Sequence, residues 1–290
     1  MLGDPTGVES QIIALIARWE KLAGDKNERI DELLNDLGFY YVQAGLAAEA
    51  EKTFQRLLAR AAARGDIDAS NRLRTELDLI EVRLRFNLAP AAALVAQVEK
   101  IADAVNTSVA PGNQRFRQLL LRAATVGVSV GRLDLATKYT DLAQAKGSDK
   151  SSSNAARLAL TLAALDRGKG DYNGSLEKLK QRLQLYKASG ERVSLRYAYA
   201  QLDEAYAIAL QAGADAPTRA QQALTRARAS LPPTLPANHR AFKQAEYVAA
   251  YIQYGAQSVE LKRARDALAV HFGRSGAELP EVLLGAFVQP

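Results

Sequence analysis

DELLNDLGFYYVQAGLAAEAEKTFQRLLARAAA, residues 31–63, carries two apolar periodicities with a glycine between them. In its first half Leu33, Leu34, Leu37 and Tyr41 recur at helical spacing, and in its second half Ala50, Phe54, Leu57 and Leu58 do the same. Gly45 stands between the two halves. A connector this short predicts two antiparallel amphipathic helices, an αα-hairpin.

The layout recurs along the chain. A Gly or Asn occupies the expected helix–helix turn at Gly45, Asn87, Gly131, Gly170, Gly213 and Gly255, at intervals of 42, 44, 39, 43 and 42 residues. Both residue types tolerate the left-handed backbone that ends a helix tightly. Pro90 follows Asn87 and suits the first turn of a new helix. Breaks between successive pairs are expected at Gly65-Asp66, Val109–Gly112, Gly147–Ser153, Gly190 and Pro232–Pro236. Small residues fall where paired helices must approach closely: Gly38 with Ala50, Ala124 with Ala136, Ala163 with Ser175.

The spacing of Leu37, Gly38, Tyr41, Gly45, Ala50 and Phe54 resembles the tetratricopeptide repeat (TPR). The period of about 42 residues resembles the longer variant found in kinesin light chains and many bacterial proteins. GRLDLATKYTDLAQA (131–145) and GDYNGSLEKLKQRL (170–183) resemble the second half of the motif. Ile80 stands where a small residue is expected, Tyr206 and Thr218 depart from the pattern, and Ala220 fits only if its turn carries two extra residues. Val248 and Glu260 depart in the sixth pair.

The resemblance implies an all-α fold, an α-α superhelix or solenoid of about six antiparallel helix pairs plus an N-terminal half-repeat or capping helix. The alternative is a different helical solenoid. The expected organisation is one repeat domain over 1–290: a partial unit at 1–28, repeats at 29–66, 67–110, 111–152, 153–191, 192–236 and 237–275, and a cap or tail at 276–290. The helix expected over Val8–Leu22, with Trp19, is the second half of a repeat lacking its first half, or a dedicated cap. Apolar surface at both ends predicts a module cut from, or docked against, a larger protein.

Composition excludes several chemistries. The chain has 290 residues and no cysteine, so disulfides, thiolate metal sites and a cysteine nucleophile are ruled out. It has two histidines, His239 and His271, too few for a His-based metal site or proton relay. No phosphate-binding GxxxxGK[ST], GxGxxG after a strand, HExxH or EF-hand loop occurs. No catalytic residue, metal ligand, cofactor or small-molecule substrate is therefore expected. The acidic groups Asp31, Glu32 and Asp36, and Glu76, Asp78 and Glu81, read as helix caps and ion-pair partners of nearby Arg residues.

The absence of a basic-then-apolar leader and of a long apolar run predicts no signal peptide and no membrane span, hence a cytoplasmic location. The formal charge is +6, yet residues 1–66 hold 11 acidic and 8 basic residues, so the positive excess lies in 67–290. That bias favours an acidic protein or peptide partner.

The resemblance further implies that first helices line a concave face and second helices a convex one. On that face the motif spacing puts Asn35, Phe39, Val42 and Gln43, then Arg74, Leu77, Asp78, Glu81 and Arg85, then Arg122, Thr125 and Arg157. An extended or helical peptide laid across them would meet guanidinium forks with its carboxylates. The alternative is that these Arg residues pair with Glu76, Glu81 and neighbouring acids. Of the Lys/Asn set that TPR proteins use to clamp a chaperone's terminal carboxylate, only Asn35 has a counterpart. Charge reversal at Arg85 and Arg122 together is expected to weaken an acidic partner and leave folding unchanged. Eleven tyrosines, many late in the chain, read mainly as packing between repeats, with one or two free to bind.

The function so implied is a non-catalytic protein–protein interaction module, a scaffold or a sensing/regulatory domain of a larger bacterial protein such as a kinase or transcription regulator. Partner domains, covalently linked or docked, are expected outside this chain. The alternative is a basic helical repeat that binds nucleic acid; Arg74, Arg122 and Arg157 do not share one motif position, which disfavours it.

Overall fold

A computed structural model describes residues 5–24, 27–64, 69–147, 151–190, 194–233, 235 and 239–270. Among them are thirteen α-helices and no strand. The first, α1 (Pro5–Ala23), stands alone. Six pairs follow: α2 (Glu28–Ala44) with α3 (Ala47–Arg64), α4 (Ala69–Arg85) with α5 (Ala91–Ser108), and α6 (Gln114–Ser129) with α7 (Leu133–Lys146). Then come α8 (Ser152–Gly168) with α9 (Tyr172–Ala188), α10 (Leu195–Ala209) with α11 (Ala216–Ala229), and α12 (Arg240–Tyr254) with α13 (Val259–Val270). This is the all-α helical repeat expected, with six helix pairs after an N-terminal helix among the described residues.

The six turn residues explain the regularity. Gly45, Gly131, Gly170 and Gly255 have φ of 77°, 77°, 81° and 77°, Gly213 has 149°, and Asn87 is the single described non-glycine with positive φ, at 55°. Each position needs a backbone that a branched side chain resists. The link from α10 to α11 covers 210–215, against 169–171 between α8 and α9. This longer turn restores register, and Ala220 is fully buried, while Thr218 points to solvent.

Helix starts are set by side-chain caps. Asn27 and Asn113 accept from the backbone N–H two residues on, at 2.8 Å each, and Ser151, Asp171 and Ser194 accept from the third. Caps of this kind contribute about 1 kcal/mol each. His239 is used this way as well: its Nδ1 accepts from the Ala241 N–H at 3.2 Å, a structural role for one of the two histidines. His271 lies outside the described residues, as do Gly65-Asp66 and the stretch 276–290.

The chain divides into two compact units, one holding α1–α5 and ending at Val109, the other beginning at Ala110 with α6. In the first, Ile30, Leu34, Leu37, Ala50, Phe54 and Leu57 form the core between α2 and α3. The Phe54 ring is fully buried; burying such a side chain contributes about 1.5–3 kcal/mol. Gly38 lies under that ring: a Cβ there would sit 2.7 Å from Phe54 Cζ. Helix α1 packs on α2 through Ile16, with Ile12 and Trp19 half-buried, and the Tyr41 hydroxyl donates to Glu9 at 2.9 Å. Burial, with that carboxylate next to it, pushes the Tyr41 phenol up to about 12.

In the second unit α6 and α7 approach closely at Gly127, where a Cβ would lie 3.1 Å from the Ala136 backbone nitrogen and 3.2 Å from the Arg132 carbonyl oxygen. Ala124 and Ala136 are both fully buried beside it. Tyr206 and Val248, which depart from the repeat pattern, are buried without breaking their pairs; Tyr206 packs against Tyr247 and Tyr251 at 5.8 and 5.4 Å between ring centroids.

Candidate functional site

Two groups of inner-helix residues are brought together, one in each unit. In the first unit Arg74 on α4 donates to Asn35 Oδ1 on α2 at 3.1 Å, so two residues expected to meet a ligand meet each other. Phe39 is half-buried and packs edge-to-face on Phe54, with ring centroids 5.4 Å apart. Val42 and Leu77 are buried in the core and offer no contact surface. Asp78, Glu81 and Arg85 are buried on α4. The Gln43 side chain lies outside what the structure describes.

The acidic groups behave as ion-pair partners. Asp31 is shared by Arg60, at 2.9 Å, and Arg64, both from α3; Glu32 pairs with Arg29, and Glu76 with Arg72 at 3.5 Å. Arg83 of α4 holds Glu51 of α3 at 2.7 Å, a link between pairs.

In the second unit Arg122 is buried on α6 and Arg157 half-buried on α8; Thr125 and Thr161 approach across these two helices at 3.4 Å. Arg85 and Arg122 retain only 6% and 4% of their exposure. Reversing their charge would therefore bury two carboxylates, and the expectation of a folding-neutral test is corrected. A buried ion that loses its partners costs several kcal/mol.

A further cluster joins α8, α9, α10 and α12. Tyr206 on α10 receives Arg167 of α8 over its ring, 6.0 Å from the centroid, and packs against Tyr247 and Tyr251 of α12. Arg240 of α12 donates through Nε to the Tyr199 hydroxyl at 3.1 Å and lies 5.6 Å from that ring. Buried tyrosine faces and guanidinium groups thus link three successive first helices, and both are residue types that also anchor protein interfaces.

Beside it lies a buried ion pair. Arg182 of α9 reaches Asp203 of α10 at 3.2 Å and the Tyr186 hydroxyl at 3.2 Å. The two charged side chains keep 2% and 0% of their exposure. Burial pushes the Asp203 carboxyl up to about 7, although Arg182 and Arg167 both act to lower it. Asp203 Oδ1 and Gln201 Oε1 are buried without a hydrogen bond.

Sequence reading missed Arg167, Asp203 and Arg240. Their signal was present but weak: Arg167 and Arg240 each lie one helix away from a tyrosine that breaks or flanks the repeat pattern. Of the late tyrosines, Tyr186, Tyr197, Tyr199, Tyr206 and Tyr247 are buried, while Tyr254 is half exposed.

Among the described residues no group of three or more His, Asp or Glu is placed to hold a metal ion, and no helix is long and apolar enough to cross a membrane.

No family model matches the chain, and no curated protein matches it. Solved structures do. A Rap protein complexed with competence and sporulation factor shares 11% identity over 91% of this chain and 74% of its own, with a TM-score of 0.57. BtubC (BKLC) from P. vanneervenii shares 13% identity over 86% of this chain and 93% of its own, with a TM-score of 0.51. The nearly identical TPR-like repeats described for a kinesin light chain of Podosopora anserina share 17% identity over 72% and 96%, with a TM-score of 0.49. The fold is a TPR-type helical repeat.

Proposed function

We propose that the chain is a non-catalytic module that binds a protein or peptide through the inner faces of its first helices, acting as a scaffold or sensing domain. The observation that carries this reading is the row of first helices in the second unit, where buried Arg167, Tyr206 and Arg240 and half-buried Tyr251 converge and hold α8, α10 and α12 side by side as one face. Tyrosine supplies flat apolar area at low conformational cost, and guanidinium forks recognise carboxylates in two directions at once. The reading is supported further by the likeness to a Rap protein solved with a bound factor.

The expected partner is acidic, because the excess of Lys and Arg lies in residues 67–290, the part of the chain that contains these helices. Asn35, Phe39, Gln43, Arg74, Asp78, Glu81 and Arg85 would serve in the first unit, and Arg122 and Arg157 in the second. Burial assigns Asp78, Glu81, Arg85 and Arg122 to holding the helices in shape, and Asn35 and Arg74 bind each other; half-buried Arg157 is placed to reach a ligand. A cytoplasmic location, a single array of repeats over 1–290 and a place within a larger bacterial regulator complete the proposal.

The test is a random-peptide display library selected on the full chain and counter-selected on its Arg157→Glu variant. Enriched acidic peptides that bind the variant at least about tenfold more weakly, about 1.4 kcal/mol, support the reading. Enrichment indifferent to the substitution, or no enrichment, overturns it. Single-stranded RNA serves as the second probe: tight binding that falls steeply with salt would move the chain to the nucleic-acid class.

A further inference from the structure

Helix α1 is apolar around more of its circumference than α2 covers. Ile16 is buried against α2, with Ile12 and Trp19 half-buried beside it. Ile13, Leu15 and Leu22 nevertheless keep 47%, 42% and 67% of their exposure. Among the described residues eight large hydrophobic side chains are exposed, and three of the eight stand on this one helix. Single exposed apolar groups need no explanation, whereas a contiguous set marks an interaction surface.

The set is ordered. Val8, Ile12, Leu15, Trp19 and Leu22 follow one another at intervals of four, three, four and three residues. That alternation makes a seam for a second helix lying alongside. Ile12 and Trp19 form its inner margin, next to the core, and Leu15 and Leu22 carry it out into solvent. The charges beside the seam are of one sign. Helix α1 holds four charged residues, Glu9, Arg18, Glu20 and Lys21. Both acids are engaged within the chain: Glu9 accepts from the Tyr41 hydroxyl at 2.9 Å, and Glu20 pairs with Arg56 of α3. Arg18 and Lys21 are exposed. Arg18 stands three residues after Leu15 and four before Leu22, so it flanks the open stripe, and Lys21 lies one turn further on.

We propose that α1 docks an amphipathic helix of another protein, one with aliphatic residues along its seam and Asp or Glu beside them. Charge selects this occupant over a second copy of the chain. Two copies paired antiparallel, Leu15 of each against Trp19 of the other, would bring their Arg18 guanidinium groups together, and charges beside a seam decide which helices pair. The surface goes beyond the peptide-binding reading above, because it leaves the first-helix faces of the second unit free for their own ligand.

Trp19 is the only tryptophan in the chain, so its fluorescence reports on this surface alone. The probes are two synthetic helical peptides without tryptophan, both with leucine along the seam, one flanked by glutamate and the other by lysine. Titrated into the full chain, the glutamate peptide should shift Trp19 emission to the blue and slow its quenching by acrylamide. Its Kd should lie at least about tenfold below that of the lysine peptide, a difference of about 1.4 kcal/mol. Leu15→Asp with Leu22→Asp should abolish the response and leave the far-ultraviolet circular dichroism unchanged, since both side chains are exposed. Should that variant fail to fold, Arg18→Glu with Lys21→Glu decides alone: the preference should reverse toward the lysine peptide. Arg157→Glu should alter none of these responses, which separates this surface from the first-helix faces.

No shift with either peptide, or equal shifts with both, overturns the proposal. So does a Trp19 shift that grows with the protein's own concentration while its mass doubles in sedimentation equilibrium, which would assign the seam to a second copy.

Discussion

Replacing Arg182 by methionine perturbs the molecule where its charges are most deeply hidden. The guanidinium makes one 3.2 Å contact to Asp203 Oδ2 and another to the Tyr186 hydroxyl, over whose ring it also lies at 5.3 Å. Methionine keeps most of the apolar stem but leaves a buried carboxylate facing only Arg167. Breaking one partner of such a pair costs about 3–5 kcal/mol. In a domain of this size that is a fall of about 6–20 °C in Tm. The double variant Arg182→Met, Asp203→Leu removes both charges, and its stability should return to within about 1 kcal/mol of the parent, or exceed it.

The pH dependence gives an independent arm. The folded Asp203 holds its proton up to about pH 7, while the unfolded chain loses it near 3.8. Stability from this group is thus fully present below the unfolded value and is lost as pH rises through the folded one. Removing the Arg182 charge pushes the folded value higher still, so the loss continues further. The deficit of Arg182→Met should therefore be greater at about pH 8 than at about pH 5. Urea unfolding followed by circular dichroism at both pH values, on the two single variants and the double, reads all of this. A single variant costing under about 1 kcal/mol, or a double no better than the singles, would refute the idea that the pair is a costly buried unit.

Other outcomes follow from the packing. Gly38→Ala gains about 1 kcal/mol of helix propensity but drives a methyl into the buried Phe54 ring, and overpacking costs about 1–3 kcal/mol; a net loss in thermal melting is expected. Gly127→Ala should lose more, because the atoms it meets are backbone and cannot turn aside. Asn87→Gly should stabilise by a few tenths of a kcal/mol, since the turn at φ 55° suits glycine better, and a rise in urea midpoint checks it. Tyr41→Phe should delete a phenol that titrates at about 12 from an ultraviolet pH titration. It should also cost about 0.5–1.5 kcal/mol through the lost bond to Glu9.

The helix pairs were legible because each turn needs a backbone that few residues accept, so Gly45, Gly131, Gly170 and Gly255 announce it in the letters alone. The departures at Tyr206 and Val248 were also legible, but not their resolution: whether a large side chain fits depends on what the next pair presents. Here Tyr247 and Tyr251 receive Tyr206. The site was harder to read. Motif spacing gives the direction of a side chain, not what lies opposite, so Val42 and Leu77 fell on the expected face yet belong to the core. Asn35 and Arg74 were both singled out, yet bind each other. Asp203 and Arg167 come from helices whose relative rotation no periodicity encodes.

The open space around Gly45, Gly131, Gly170 and Gly255 has a consequence for how such a molecule can change. A side chain at any of these four bends would meet open space, whereas the surfaces between successive pairs within each unit are filled. New residues can be admitted at these hairpin tips, and the longer 210–215 link shows another tip already extended. Whole pairs cannot be exchanged so freely, since each would bring the wrong counterpart to its neighbours. Variation in this lineage should accumulate along that one edge, as longer or shorter hairpin ends, while the number and order of the pairs stay fixed.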